Sequence, residues 1–256
     1  ARATPYVDAL HRAIDDFILS TDRSPLVWAP AQVVYDLPYG METEEHVPGP
    51  AVLGGILIDA MREATEEFLL VTPYFVPGAS GVDNFRRLRE RGVRCVVLTN
   101  SLASVDVTAV YGGYKEYNKP LLELGVEMWE LIAYPEKPRD QPGALTQKRA
   151  LHAKVFAVDR SQLFVGSFNW DPRSLRINTE MGMLIESDEL AGRFSKGVSA
   201  GLPDIAWKLR LNDKGNVEWL EFSGDEVIVH TNPPQTSFWR RFWASLLAWN
   251  AIEGQL

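Results

Sequence analysis

Two apolar runs near the middle of the chain, Leu151–Val158 and Leu163–Asn169, constrain its folding most, because each carries polar side chains that an apolar strand does not accept idly. Asp159-Arg160-Ser161-Gln162 between them is turn chemistry, so the two runs are expected to form a hairpin. Side chains alternate along a strand. His152 and Lys154 therefore share a face of the first run, and Leu163, Val165, Ser167 and Asn169 share a face of the second. An even-length loop pairs Val158 with Leu163, Lys154 with Ser167 and His152 with Asn169, with β-carbons about 4.5–5.5 Å apart. Four polar groups then converge on one patch. Glu180, in the next strand-like run NTEMGMLIE, arrives soon after.

An imidazole, an ammonium, a hydroxyl and a carboxamide gathered in this way suit a phosphate ester. Lys154 supplies a compact positive charge, while Ser167 and Asn169 donate hydrogen bonds to non-bridging oxygens. His152 can attack phosphorus when its other ring nitrogen is held by an acceptor such as Glu180, which is expected to orient a histidine, this one or that of a partner half. The scheme requires no metal and no other cofactor. Sites form where strands end, so Thr72, Tyr74 and the 100–114 loop are candidates for shaping a substrate pocket. Gly166 and Arg173 complete the expected substrate-binding set, and Arg173 can also pair with Asp171 or orient the loop under the phosphate. Asp159 sits at the turn, where an Asx-type hydrogen bond or an ion pair would brace the hairpin.

The string H-x-K-x4-D-x6-G-S-x-N, met as His152, Lys154, Asp159, Gly166, Ser167 and Asn169, resembles the HKD signature of the phospholipase D superfamily. TPYFVPG at 72–78, LTNSLASVDVTAVYGGYKEYNKPLLELGVEMWEL at 98–131 and GSFNWDPRSLRINTEMGMLIES at 166–187 are similar to the carboxyl-terminal half of bacterial cardiolipin synthases of the C type. The resemblance implies an α/β phospholipase D-like fold, phosphatidyl transfer through a phosphohistidine, a phospholipid substrate and Asp159 as a member of the catalytic motif. It also implies a second motif, so that one histidine attacks phosphorus and the other protonates the leaving alcohol. This chain has one such motif, since His11, His46 and His230 stand in no H-x-K setting. The second histidine is expected from an amino-terminal half of a longer protein or from a second copy of the chain about a two-fold axis. A chain that opens on Ala1 rather than Met favours the first.

Composition narrows the partners. A net charge of −8 and a pI near 5.1 tell against a non-specific nucleic-acid binder, which needs clustered Lys and Arg. Cys95 is the single cysteine, so no internal disulfide can form. No apolar run approaches the roughly 20 residues that span a bilayer, and the first residues carry no signal peptide pattern. Association with a bacterial inner membrane would therefore be peripheral.

In chain order, 1–50 reads as an interdomain connection, with a short amphipathic helix from Val7 to Ser20, an extended segment and a loop. Residues 51–200 read as the catalytic domain, with helices at 54–67, 82–91 and 114–124 alternating with strands at 67–73, 93–99 and 126–132. That alternation predicts a mixed, largely parallel sheet with helices on both faces. Pro135 to Gln147 reads as a loop ahead of the motif, a lid or a connector. A helix from 188 to 196 leads to the 201–256 segment, expected to add an antiparallel β-hairpin at a sheet edge and an amphipathic helix. In that helix Phe238, Trp239, Phe242, Trp243, Leu246, Leu247, Trp249 and Ile252 form an apolar face opposite Arg240 and Arg241. The 236–252 stretch is expected to pack on protein or to lie in a lipid headgroup layer. Three functions follow: half of a two-motif phosphatidyltransferase, a phospholipase D or dimeric single-motif phosphodiesterase or nuclease, or a non-catalytic membrane-docking module.

Overall fold

The computed structural model describes residues 26–37, 52–135, 148–224 and 226–250, with only the backbone for 245 and 247–250. The helix expected at 7–20, the loop at 135–147 beyond Pro135, and the side chains of Leu247, Trp249 and Ile252 lie outside the described residues.

Ten strands form one sheet in the order β1-β7-β6-β5-β2-β3-β4-β8-β9-β10. These are β1 (Ala31–Tyr35), β2 (Glu67–Val71), β3 (Arg94–Asn100), β4 (Glu127–Leu131), β5 (Val155–Val158), β6 (Gln162–Gly166), β7 (Met181–Glu186), β8 (Ala206–Leu211), β9 (Val217–Ser223) and β10 (Glu226–His230). The helices are α1 (Val52–Glu63), α2 (Gly78–Glu90), α3 (Thr108–Glu123), α4 (Pro172–Arg176), α5 (Asp188–Ile205) and α6 (Phe238–Asn250).

The sheet is mixed, as expected, but not largely parallel. Only β2/β3 and β3/β4 run parallel, because the helices α2 and α3 return the chain between them. From β5 onward every pairing is antiparallel, although α5 carries the chain from β7 across to β8, and β1 closes the far edge antiparallel to β7. The 206–223 hairpin extends the sheet through β8 on β4, and β10 forms the final edge.

The central strands are buried on both faces, which their unbroken apolar character demands. Phe68, Leu70, Cys95 and Val97 join Leu57, Met61, Phe85 and Tyr114 in a core beneath α1, α2 and α3. Their neighbours Leu69, Val71, Val96 and Leu98 pack with Leu202 and Val198 of α5 on the other face. Two helices exceed their expected length. Helix α3 begins at Thr108 and takes in the buried Gly112-Gly113, so tertiary burial overrides low propensity there. Helix α5 is capped by Ser187, whose Oγ accepts from the Leu190 amide at 3.2 Å, and runs on through Pro203 to Ile205.

Candidate active site

The hairpin forms, but one residue out of the expected register. Val158 pairs with Gln162 and Val155 with Val165, so the loop is the odd-length Asp159-Arg160-Ser161. Asp159 and Arg160 adopt φ of 50° and 56°, the left-handed conformation that an Asp tolerates better than most residues. Lys154 consequently lies opposite Gly166, whose N–H donates to the Lys154 carbonyl at 3.1 Å, and not opposite Ser167. Lys154, Ser167 and Asn169 still gather about Glu180 because they lie just outside the ladder, while the His152 imidazole makes no hydrogen bond to them. β5 starts at Val155 and β6 stops at Gly166, so strict alternation no longer governs 152, 154, 167 and 169.

The centre of the arrangement is Glu180. It is buried, and its Oε2 accepts from the Ser167 hydroxyl while its Oε1 accepts from Ser174 Oγ at 2.7 Å and Asn178 Nδ2 at 3.1 Å. Ser174 Oγ also accepts from the Asn169 amide at 3.2 Å, tying the two halves of the motif together. The carboxylate of Asp36 receives the Glu180 N–H at 3.1 Å and the Leu53 N–H at 2.9 Å, so β1 fixes Glu180 from the sheet edge. Asp171 caps α4 by accepting from the Ser174 amide at 2.8 Å rather than forming an ion pair with Arg173, and burial pushes its carboxyl up.

Lys154 donates to the His152 carbonyl at 3.0 Å. Burial lowers its pKa below the ordinary lysine value, against the opposing pull of the carboxylates of Glu180, Asp171 and Asp106. The ammonium thus stands among three acidic groups. His152 is exposed, and among the described residues its imidazole has no hydrogen-bond partner. Its backbone is anchored from an unexpected quarter. Asn100, at the end of β3, receives the Leu151 N–H at 2.9 Å and donates to the Leu151 carbonyl at 3.1 Å, completing a ladder rung with a side chain. Ser104 Oγ donates to Asn100 Oδ1 at 2.8 Å and holds the amide in place.

A cleft of about 280 Å³ is lined by Tyr74, Val76, Val107, Val110, Asn169, Asp171, Arg173 and Asn178. Asn169 lines this cleft; its Oδ1 is buried without a hydrogen-bond partner among the described residues, so donation to a ligand would fall to its Nδ2. Tyr74 donates its hydroxyl to Asp106 Oδ1 at 2.7 Å, and burial together with that carboxylate pushes its pKa to about 12. Arg173 is exposed at the rim of the cleft.

Four assignments need correction. Thr72 is fully buried; its hydroxyl donates to the Tyr74 carbonyl at 3.0 Å and accepts from the Trp170 amide at 3.3 Å, so it shapes the cleft without touching a ligand. Gly166 is there for packing. A Cβ on it would lie 2.5 Å from the Met181 carbonyl oxygen and 2.6 Å from the Phe164 ring, and Gly182 is crowded by the same ring. Asp159 lies away from the patch, about 16 Å along the strand from Lys154 at the usual rise per residue. Its carboxylate accepts from the amides of Thr65, Glu66 and Glu67 at 2.8, 2.7 and 2.9 Å, and so bonds the hairpin turn to the start of β2. Glu180, finally, holds Ser167, Ser174 and Asn178 and not His152.

Asp36, Asn100, Ser174 and Asn178 went unnoticed in the sequence. Ser174 and Asn178, four residues apart after an Asp-Pro helix start, offered the one local signal, a capped turn aimed back at Glu180. Asp36 and Asn100 act across 144 and 51 residues of chain, where no spacing rule reaches.

Residues 57–200 match the family described as cardiolipin synthase, PLD-like domain. The chain is 37% identical over 237 residues to cardiolipin synthase C of Escherichia coli K12, covering 90% of this chain and 49% of the relative. It is 30% identical over 245 residues to an uncharacterized protein of Helicobacter pylori J99, covering 92% of this chain and 47% of the relative. The chain thus spans about half the length of the curated relatives it matches. Its fold is similar to that of Nuc from Salmonella typhimurium, described as a phospholipase D family member, with a TM-score of 0.51, 16% identity, and coverage of 72% of this chain and 99% of that one.

Proposed function

Because the chain belongs to the cardiolipin synthase, PLD-like domain family, we propose that it is one half of a two-motif phosphatidyltransferase acting on phospholipid phosphodiesters. The observation that carries this reading is the Glu180 network. It joins Ser167 and Asn169 through Ser174, and its charge reaches Lys154, while Asn169 and Asn178 carry the network to the wall of the cleft.

In the proposed reaction a ring nitrogen of His152 attacks the phosphorus of a phosphatidyl donor such as phosphatidylglycerol. A P–N bond forms and the P–O bond to the leaving alcohol breaks, that oxygen taking a proton from the second histidine. An acceptor alcohol then gives its proton back to that histidine and displaces His152, restoring the enzyme. Phosphatidylglycerol as acceptor yields cardiolipin and water yields phosphatidic acid. Lys154, Ser167 and Asn169 hold the non-bridging oxygens as charge accumulates on them. For Ser167 this needs its hydroxyl to turn from Glu180 to the phosphoryl group. The second histidine comes from a partner half carrying another H-x-K motif, or from a second copy of this chain. The two histidines can exchange the roles of nucleophile and acid, and the reading here needs only that His152 be one of them.

The test is covalent trapping. Phosphatidylglycerol labelled in its phosphate is mixed with the chain alone and with the chain plus a second H-x-K half, then quenched in alkali. Label on His152, absent from His152→Ala, is expected. Lys154→Met should slow labelling about 10²–10³-fold while leaving its site unchanged. Label that persists in His152→Ala would remove that residue from the covalent step.

A further inference from the structure

A cavity of about 310 Å³ adjoins the cleft described above, and Val76 and Asp171 form part of the wall of both. Its lining is mostly apolar: Ile58 of α1, Pro77 ahead of α2, Phe168 and Trp170 from the segment after β6, and Leu175 of α4. Among the described residues the charged groups of the lining are Asp171, on the shared wall, and Arg176, its one cation. Ala79 and Ser80, in the first turn of α2, are exposed where the cavity opens.

We propose that this cavity takes an acyl chain of the lipid whose phosphate sits at His152 and Lys154. The inference rests on the phosphatidyltransferase reading and adds to it the place where the hydrocarbon goes. An apolar cavity open to water gains affinity from each methylene it covers, at about fourfold apiece. The cavity has the size of a small-molecule site and not of a protein interface. A nucleic-acid strand would need cations in series along its path, and this wall offers one. The shared wall at Val76 and Asp171 gives a ligand spanning both cavities a polar end by Asn169 and Arg173 and an apolar end by Phe168 and Leu175.

The test uses the whole chain. Dibutanoyl, dihexanoyl and dioctanoyl phosphatidylglycerols carrying a diazirine at the chain end are photocrosslinked to it below their micelle-forming concentrations, and the labelled peptides are mapped. Label within residues 77–81 or 168–176 is expected, rising with chain length by about fourfold per methylene until the cavity is full. Ala79→Trp and Ser80→Trp, both on exposed positions, should abolish the length dependence with the thermal midpoint unchanged. Label confined to residues 238–246, or equal for all lengths, or indifferent to both tryptophans overturns the acyl site. A parallel titration with glycerophosphoglycerol, followed by the imidazole resonances of His152, separates the two readings. A response there without acyl label defeats the acyl site alone, while silence in both experiments defeats the phosphodiester reading as well.

Discussion

A single buried carboxylate beneath helix α3 shows how much one residue can set. Glu130 on β4 is fully buried and accepts from Tyr111 Oη at 3.2 Å and Trp219 Nε1 at 2.9 Å. Burial, resisted by those donors, pushes its pKa up to about 7 from 4.5. Because the folded protein favours the protonated form, its contribution to stability is complete below about pH 4.5 and is lost as pH rises to about 7, by at most about 3 kcal/mol. Glu130→Gln should flatten that slope, so that urea midpoints at about pH 5 and about pH 8 differ less in the variant than in the wild type. Equal differences would mean that Glu130 is ionised throughout. Nothing in EMWEL announced this, since a carboxylate in an apolar strand reads as solvent-facing until its neighbours are known. His152, Lys154, Ser167 and Asn169 were legible because their types and spacing are unusual on strands, whereas Asn100 hides in a run that any buried strand could end with.

At the scale of elements, the hairpin was legible and its register was not. The turn residues announced a reversal, but the count of loop residues was decided by Asp159, whose carboxylate reaches the amides of 65–67. Burial opposes ionisation of Asp159, yet those amides and the Thr65 hydroxyl hold its carboxyl below the usual aspartate range. The stabilisation is therefore present above the unfolded value near 3.8 and is lost as pH falls through the lower folded value. Asp159→Ala should cost about 2–4 kcal/mol in denaturant unfolding, since several donors lose one charged acceptor. Rates per folded molecule should stay as they were, because this end of β5 carries no substrate contact. A fall in turnover without a fall in stability would return Asp159 to the catalytic set.

Across the whole molecule the α/β class and the flanking helices were legible from alternating periodicities, while the antiparallel majority of the sheet followed from pairings that only the fold decides. Helix α6 also departs from its sequence reading. Arg240, assigned to the polar face, points inward and donates to the carbonyls of Leu102 and Val105 at 2.8 and 2.9 Å, beside the buried Ala244. Phe238, Trp239, Phe242, Trp243 and Leu246 are left in water at 39–66% exposure. No helix among the described residues is long and apolar enough to cross a membrane, and the face that α6 leaves in water is of the kind that enters a lipid headgroup layer. Trp239→Ser with Trp243→Ser should cut sedimentation with phosphatidylglycerol vesicles about tenfold without shifting the thermal midpoint. An unchanged pellet would place the lipid contact away from this face.

The sheet also sets where a gene can be cut. The family match spans 57–200, yet the strands run from Ala31 to His230, and the buried Trp129 of β4 is covered in part by β8 and Phe222. An expression fragment trimmed to the match would bare the edges of β7 and β4 and drop the Asp36 brace on Glu180, and it should be recovered as aggregate while residues 26–250 stay in the supernatant.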